Sequence, residues 1–130
     1  EKAGERVKFT GYIENQKLYR YYQSADIQVI PSLWEEAAGL IAIEGMLSGL
    51  PLIITKSGGM IEYAPSNVAV WIDRDNIIPN LEAAIIQLAD DKEKRKEMSE
   101  LSLEQAKEFP KKKFYEDYIE VFEHEGTRKR

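Results

Sequence analysis

The chain contains no cysteine and a single histidine among its 130 residues. Without thiols there is no disulfide framework, no thiolate zinc or iron–sulfur site and no cysteine nucleophile. The histidine, His124, falls near the end of the sequence, where it reads as a surface residue and gives a Ser-His-Asp triad no support. Positive charge is not in excess: 18 Lys and Arg against 23 Asp and Glu leave a net charge of −5. No general field draws a polyanion, so nucleic acid is not an expected partner. Long apolar runs are missing as well. The longest, Gly39 to Ile54, is broken by Glu44, Ser48, Gly49 and Pro51, and cannot supply the ~20-residue span of a membrane helix. The first residues, Glu1 to Arg6, lack an apolar signal region, which leaves the cytoplasm as the expected compartment. Walker A and Gly-x-Gly-x-x-Gly strings are absent, against a phosphate-loop NTPase or a nicotinamide dehydrogenase.

What is present suits one globular domain with its own core. Short β-branched runs bounded by Gly, Pro or Ser alternate with longer stretches at helical spacing. The pattern predicts strands at Val7 to Thr10, Asp26 to Ile30, Leu52 to Thr55 and Ala69 to Ile72. It predicts helices at Gln16 to Ser24, Gly39 to Ser48, Met60 to Tyr63, Ile78 to Asp90, Lys92 to Glu108 and Lys113 to Glu123. Ile27 to Ile30 and Leu52 to Ile54 read as central strands covered on both faces. The fold class is therefore α/β: a parallel Rossmann-like sheet with right-handed crossovers and flanking helices. Pro110 ends one helix and starts a closing one. The clusters Lys111 to Lys113 and Arg128 to Arg130 read as a solvated face and a tail, with weak attraction to an anionic membrane surface as the other reading.

In an open parallel sheet, ligands bind beyond the carboxyl ends of the strands. Three segments there stand out: Thr10 to Ile13, Pro31 to Glu36, and Lys56 to Gly59. The second runs into a helix start at Gly39-Leu40, whose N–H groups and positive dipole end suit a phosphate; Gly39 leaves room for its approach. Glu44 follows five residues on, about 7 Å along the axis. That matches the reach from a diphosphate to its ribose, and a carboxylate accepts well from vicinal hydroxyls. The plain alternative is a solvated helix-forming glutamate, with Glu35 and Glu36 merely complementing the dipole. Against it, Ile41, Ile43, Met46 and Leu47 flank Glu44 on most of the helix circumference and predict a buried helix, where a carboxylate needs partners.

The run Val29 to Tyr63, VIPSLWEEAAGLIAIEGMLSGLPLIITKSGGMIEY, with VKFTGYI and YYQSADI before it, resembles the C-terminal nucleotide-sugar domain of retaining glycosyltransferases of the two-Rossmann-domain (GT-B) fold. The nearest class is the large family 4, the glycosyl transferases group 1, which builds bacterial polysaccharides and glycolipids. Two glutamates eight positions apart, Glu36 and Glu44, bracket the helix start, as in that family. The resemblance covers essentially the whole chain, including a closing helix with Tyr118.

The resemblance implies that Glu36, the catalytic candidate, faces the donor sugar or its departing phosphate, and that Glu44 holds the ribose hydroxyls. Backbone N–H groups of Gly39 and Leu40 would take the diphosphate. Gly11, Tyr12 and Ile13 would line the base pocket, and Gly58 and Gly59 match the family's glycine pair on the neighbouring loop. Glu62 is expected to organise that loop; Trp34 reads as packing, with stacking on the donor as the alternative. The expected donor is a nucleoside diphosphate sugar, UDP-hexose first, acting as substrate, with no cofactor and no metal. Ala37-Ala38 replace the family's Pro-Phe and widen the pocket near the sugar. The family's opening strand with its glycine and basic residue, and a following Lys-Gly pair, do not occur. Residues 1–130 are accordingly expected to form part of a donor-binding domain, with 110–130 its closing helix and tail, inactive without an N-terminal acceptor domain and two earlier strands. In that arrangement Val7 to Thr10 either pairs directly with Asp26 to Ile30 or leaves a gap of roughly 14 Å for another chain. A non-catalytic nucleotide- or sugar-binding module and a sugar-nucleotide epimerase relative are the alternatives. A receiver-type signalling domain, suggested by Lys56 after a strand, lacks the acidic cluster it needs.

Overall fold

A computed structural model describes residues 4–34 and 39–109. After a 3-10 turn at Gly4–Arg6, the elements run α1 (Asn15–Ser24), β1 (Gln28–Ile30), α2 (Leu40–Leu47), β2 (Leu52–Thr55), α3 (Met60–Tyr63), β3 (Ala69–Ile72), α4 (Ile77–Asp90) and α5 (Lys92–Ala106). The three strands form one parallel sheet in the order β1-β2-β3, with Gln28 opposite Leu52 and Leu52 opposite Ala69. This is the expected α/β class.

β2 lies at the centre, and all four of its residues are buried. Because successive side chains point to opposite faces, this one strand feeds two cores. Leu52 and Ile54 pack with Ala42 and Met46 of α2 and Met60 of α3. Ile53 packs with Ile72, Ala84 and Leu88 of β3 and α4, and with Met98 of α5. Pro79 is tolerated in α4 because it falls in the first turn, where its missing N–H has no helical partner to lose. At the other end the Arg95 guanidinium donates to the carbonyls of Leu88 and Ala89 at 2.5 and 2.7 Å. Asp91 caps α5 by accepting from Lys94 N–H at 2.9 Å, a standard N-cap bond. The buried Ser102 hydroxyl then donates to Leu50 O at 3.0 Å, tying α5 to the start of β2.

Two expectations are corrected. Val7 to Thr10 forms no strand: the segment is exposed, with Phe9 93% accessible. Its β-branched pattern is right for a strand, but a strand requires a ladder, and among the described residues β1 pairs with β2 and not with this segment. That outcome counts against direct pairing and equally against a gap bridged beside an intact third strand. β1, expected to be a central strand covered on both faces, pairs among the described residues on one side only, with β2, and leaves Val29 36% exposed. The other expected elements fall within two residues of their observed ends. The expected closing helix, the break at Pro110, both basic clusters, Tyr118 and His124 lie outside the described residues.

Candidate functional site

All three carboxyl ends of the strands open onto one rim, and the loops leaving them are laced together. Thr55 Oγ1, at the end of β2, donates to Ser32 O at 2.5 Å, and Ser57 Oγ donates to Trp34 O. Both hydroxyls belong to fully buried residues, and burial without such partners would be costly. They fix the loop after β1 against the loop after β2. Lys56 Nζ pairs with Asp73 Oδ1 at 2.8 Å and Arg74 Nε donates to Lys56 O at 3.2 Å, fastening the loop after β3 to the same neighbour. The string Asp73-Arg74-Asp75 is an Asp-x-Asp pattern that the expectation of no metal site overlooks. Asp73 is engaged by Lys56, and among the described residues no three carboxylate or histidine side chains converge.

Gly39 opens α2 in the left-handed region, φ 51° and ψ 29°, a conformation that costs a residue with a Cβ roughly 1–2 kcal/mol. A Cβ there would lie 2.7 Å from Met60 Cγ, so the glycine also admits α3. This brings Gly39 against the element that Gly58 and Gly59 introduce; Gly58 has φ 43° and Gly59 caps α3. Leu40 is exposed in the first turn of α2, and Glu62 is exposed on α3.

Glu44 is exposed, which corrects the expectation of a buried helix. The face of α2 that enters the core is made by Ala42, Gly45 and the large Met46, while Ile41 and Leu47 point outward. Glu44 nonetheless has a partner: the Tyr22 hydroxyl of α1 donates to its Oε2 at 2.9 Å. Burial, and then the hydrogen bond to the Glu44 carboxylate and its charge, push the Tyr22 phenol up to about 12, while a hydrogen bond with Gln28 acts in the opposite direction. Gln28 of β1 donates from Nε2 to Ile41 O at 3.1 Å; its Oε1 is buried and has no partner among the described residues. Gly45 makes space for that amide, since a Cβ would fall 1.7 Å from Oε1.

Gly11 takes φ 64°, Tyr12 is 89% exposed and Ile13 is half-buried. With Lys17, Arg20 and Tyr21 of α1, Tyr12 and Ile13 line an open hollow of about 370 Å³. A larger hollow of about 520 Å³ lies along β3, lined by Trp71, Gln87, Lys94 and Glu97 among others, and of the three segments singled out beyond the strand ends only Lys56 borders it. Trp34 is 82% exposed, so the packing reading fails for its side chain. Glu36 lies outside the described residues. Sequence reading missed Tyr22, Gln28, Thr55 and Ser57. The last two carried a usable signal, a hydroxyl at the end of an otherwise apolar strand and in the loop after it.

A parallel sheet with helices on both faces and a glycine-led helix start on its rim defines a Rossmann-like α/β domain. The profile of the glycosyl transferases group 1 matches residues 1–105, and the chain belongs to that family. It is similar to a D-inositol 3-phosphate glycosyltransferase of Corynebacterium diphtheriae, 32% identical over 80% of this chain and 24% of the relative. An uncharacterised glycosyltransferase of Methanocaldococcus jannaschii is 35% identical over 52% of the chain and 17% of its own length. The sulfoquinovosyl transferase of Arabidopsis thaliana is 35% identical over 50% and 12%. The chain thus spans about a quarter or less of these relatives.

Proposed function

We propose that the chain is the donor-binding part of a retaining GT-B glycosyltransferase, which moves a hexose from a nucleoside diphosphate sugar, UDP-hexose first, to a glycan or lipid-linked acceptor. The observation that carries this is Glu44, held by Tyr22 on a helix that starts with a left-handed glycine at the strand-end rim of a group 1 domain. Glu44 takes the ribose hydroxyls. The N–H groups of Gly39 and Leu40 take the diphosphate as its charge grows on departure, an electrostatic role for which a helix N-terminus is suited without a metal. Glu36 faces the sugar and the departing phosphate. Gly11, Tyr12 and Ile13 border the base, in keeping with the open hollow at Tyr12, and Gly58 and Gly59 shape the loop beside the diphosphate. Catalysis needs an acceptor-binding domain and the strands that complete the sheet, so the chain alone is inactive. The relatives' names span inositol phosphate and sulfoquinovosyl chemistry, which supports sugar transfer as the common reaction and leaves the acceptor to be measured. Synthesis of a bacterial polysaccharide or glycolipid at the inner face of the membrane is the setting we assign; among the described residues no helix is long and apolar enough to cross a membrane.

A ligand-observed NMR titration with UDP, GDP and ADP, repeated on Glu44→Ala, tests the reading. Selective UDP binding that disappears in the variant is expected. Binding that survives Glu44→Ala with its selectivity intact would overturn the assignment of Glu44.

A further inference from the structure

The Tyr22 hydroxyl is the one part of that side chain which packing does not require. Its ring lies against the core cluster shared by α2 and β2, a place a phenylalanine would fill equally well. The hydroxyl instead spans from α1 to α2 and ends on Glu44 Oε2. Nearby, Gln28 of β1 donates to Ile41 O of α2, and Gly45 gives the amide its space. Tyr22 thus brings one fixed donor from α1 to an exposed carboxylate on α2.

An exposed glutamate rotates freely about its side-chain torsions, and a ligand that needs one rotamer must first pay the entropy of selecting it. A fixed donor on one oxygen removes much of that cost. We infer that Tyr22 is a positioning residue for Glu44: its O–H holds Oε2, which leaves Oε1 and the remaining lone pairs for the vicinal hydroxyls of a ribonucleotide. The inference rests on the donor-site reading of Glu44. Because the phenol stays protonated far above neutral pH, the donor is present throughout the working range. The consequence is specificity as well as affinity, since only a ligand carrying the diol gains from the fixed rotamer.

The test uses the full-length protein and isothermal titration with two pairs, UDP with 2′-deoxy-UDP and GDP with 2′-deoxy-GDP, read on whichever base binds. The wild type is expected to prefer the ribonucleotide, and Glu44→Ala to erase that preference. Tyr22→Phe, which keeps the ring and its packing, is expected to narrow the preference about fivefold, the size of one ordinary hydrogen bond. In the Glu44→Ala background, Tyr22→Phe should narrow nothing further. Equal weakening of ribo- and deoxyribonucleotide by Tyr22→Phe, or an additive loss in the double variant, would show a packing role and overturn the inference while leaving Glu44 in place. A wild type that binds no member of either pair, or a preference that survives Glu44→Ala, would overturn the donor-site reading and this inference with it.

Discussion

The two flanks of β2 are built differently. Toward β3, α4 and α5, polar groups are closed off one by one: Arg95 on the last carbonyls of α4, Asp91 on the first turn of α5, Ser102 on Leu50. Large apolar side chains face outward on both flanks, Ile78 and Ile86 of α4 as well as Val29, Phe9, Tyr12 and Leu33, but toward β1 and α1 the hydrogen bonds that form converge on the rim loops and on Glu44. One flank is organised for stability. The other is organised around an exposed carboxylate, and binding sites are generally drawn from such less tightly packed regions.

The sharpest way to break this contrast is to weaken each flank in turn. Ile53→Ala removes a fully buried side chain from the sheet centre and should cost about 2–5 kcal/mol, measured by urea unfolding. Phe9→Ser on the other flank should stay within about 0.5 kcal/mol, as exposed positions do. A large loss from Phe9→Ser would show that the segment before α1 is integrated after all. Next in size is the pair of glycine variants. Gly45→Ala must displace the Gln28 amide and crowd Leu52 Cδ2, 2.8 Å away, at about 1–3 kcal/mol. Gly11→Ala meets open space and carries only the left-handed backbone cost, about 1 kcal/mol. Equal effects would remove the distinction between a glycine needed for packing and one needed for its backbone. Ser102→Ala follows: Leu50 O loses its buried donor, for about 1–2 kcal/mol by the same unfolding assay.

The same contrast separates what sequence could and could not reveal. Leu52 to Thr55, Met60 to Tyr63 and the long helices after Asn76 were readable because their apolar periodicity records a face that the chain itself covers. Val7 to Thr10 carries an equally good pattern, yet periodicity says only that a face is apolar and nothing about whether a ladder partner is at hand. Glu44 could be singled out from its place five residues into a glycine-led helix. Its exposure could not, because α2 buries Ala42, Gly45 and Met46 and turns the equally apolar Ile41 and Leu47 outward, a choice among apolar residues that periodicity does not make. Tyr22 was beyond reach for another reason: its contact with Glu44 crosses 22 positions and exists only once α1 lies beside α2.

The smallest effect isolates that contact. The Tyr22 phenol is raised from 10.0 to about 12, first by burial and then by the Glu44 carboxylate. An unfolded tyrosine titrates near 10, so between pH 10 and about 12 the unfolded chain releases this proton while the folded one keeps it. The unfolded state then binds fewer protons, and stability falls as pH rises through that window. Below pH 10 both states are protonated and the contribution is complete. Absorbance at 295 nm should therefore show one tyrosine ionising near 12 in the folded chain, a component that Tyr22→Phe deletes. Glu44→Gln should move it downward without deleting it, since the carboxylate's charge is lost while burial, the leading cause, is unchanged. A component that ignores Glu44→Gln would mean the phenol and carboxylate are not in contact in solution. The flank around β1 would then lose the one interaction that distinguishes Glu44 from any other solvated glutamate.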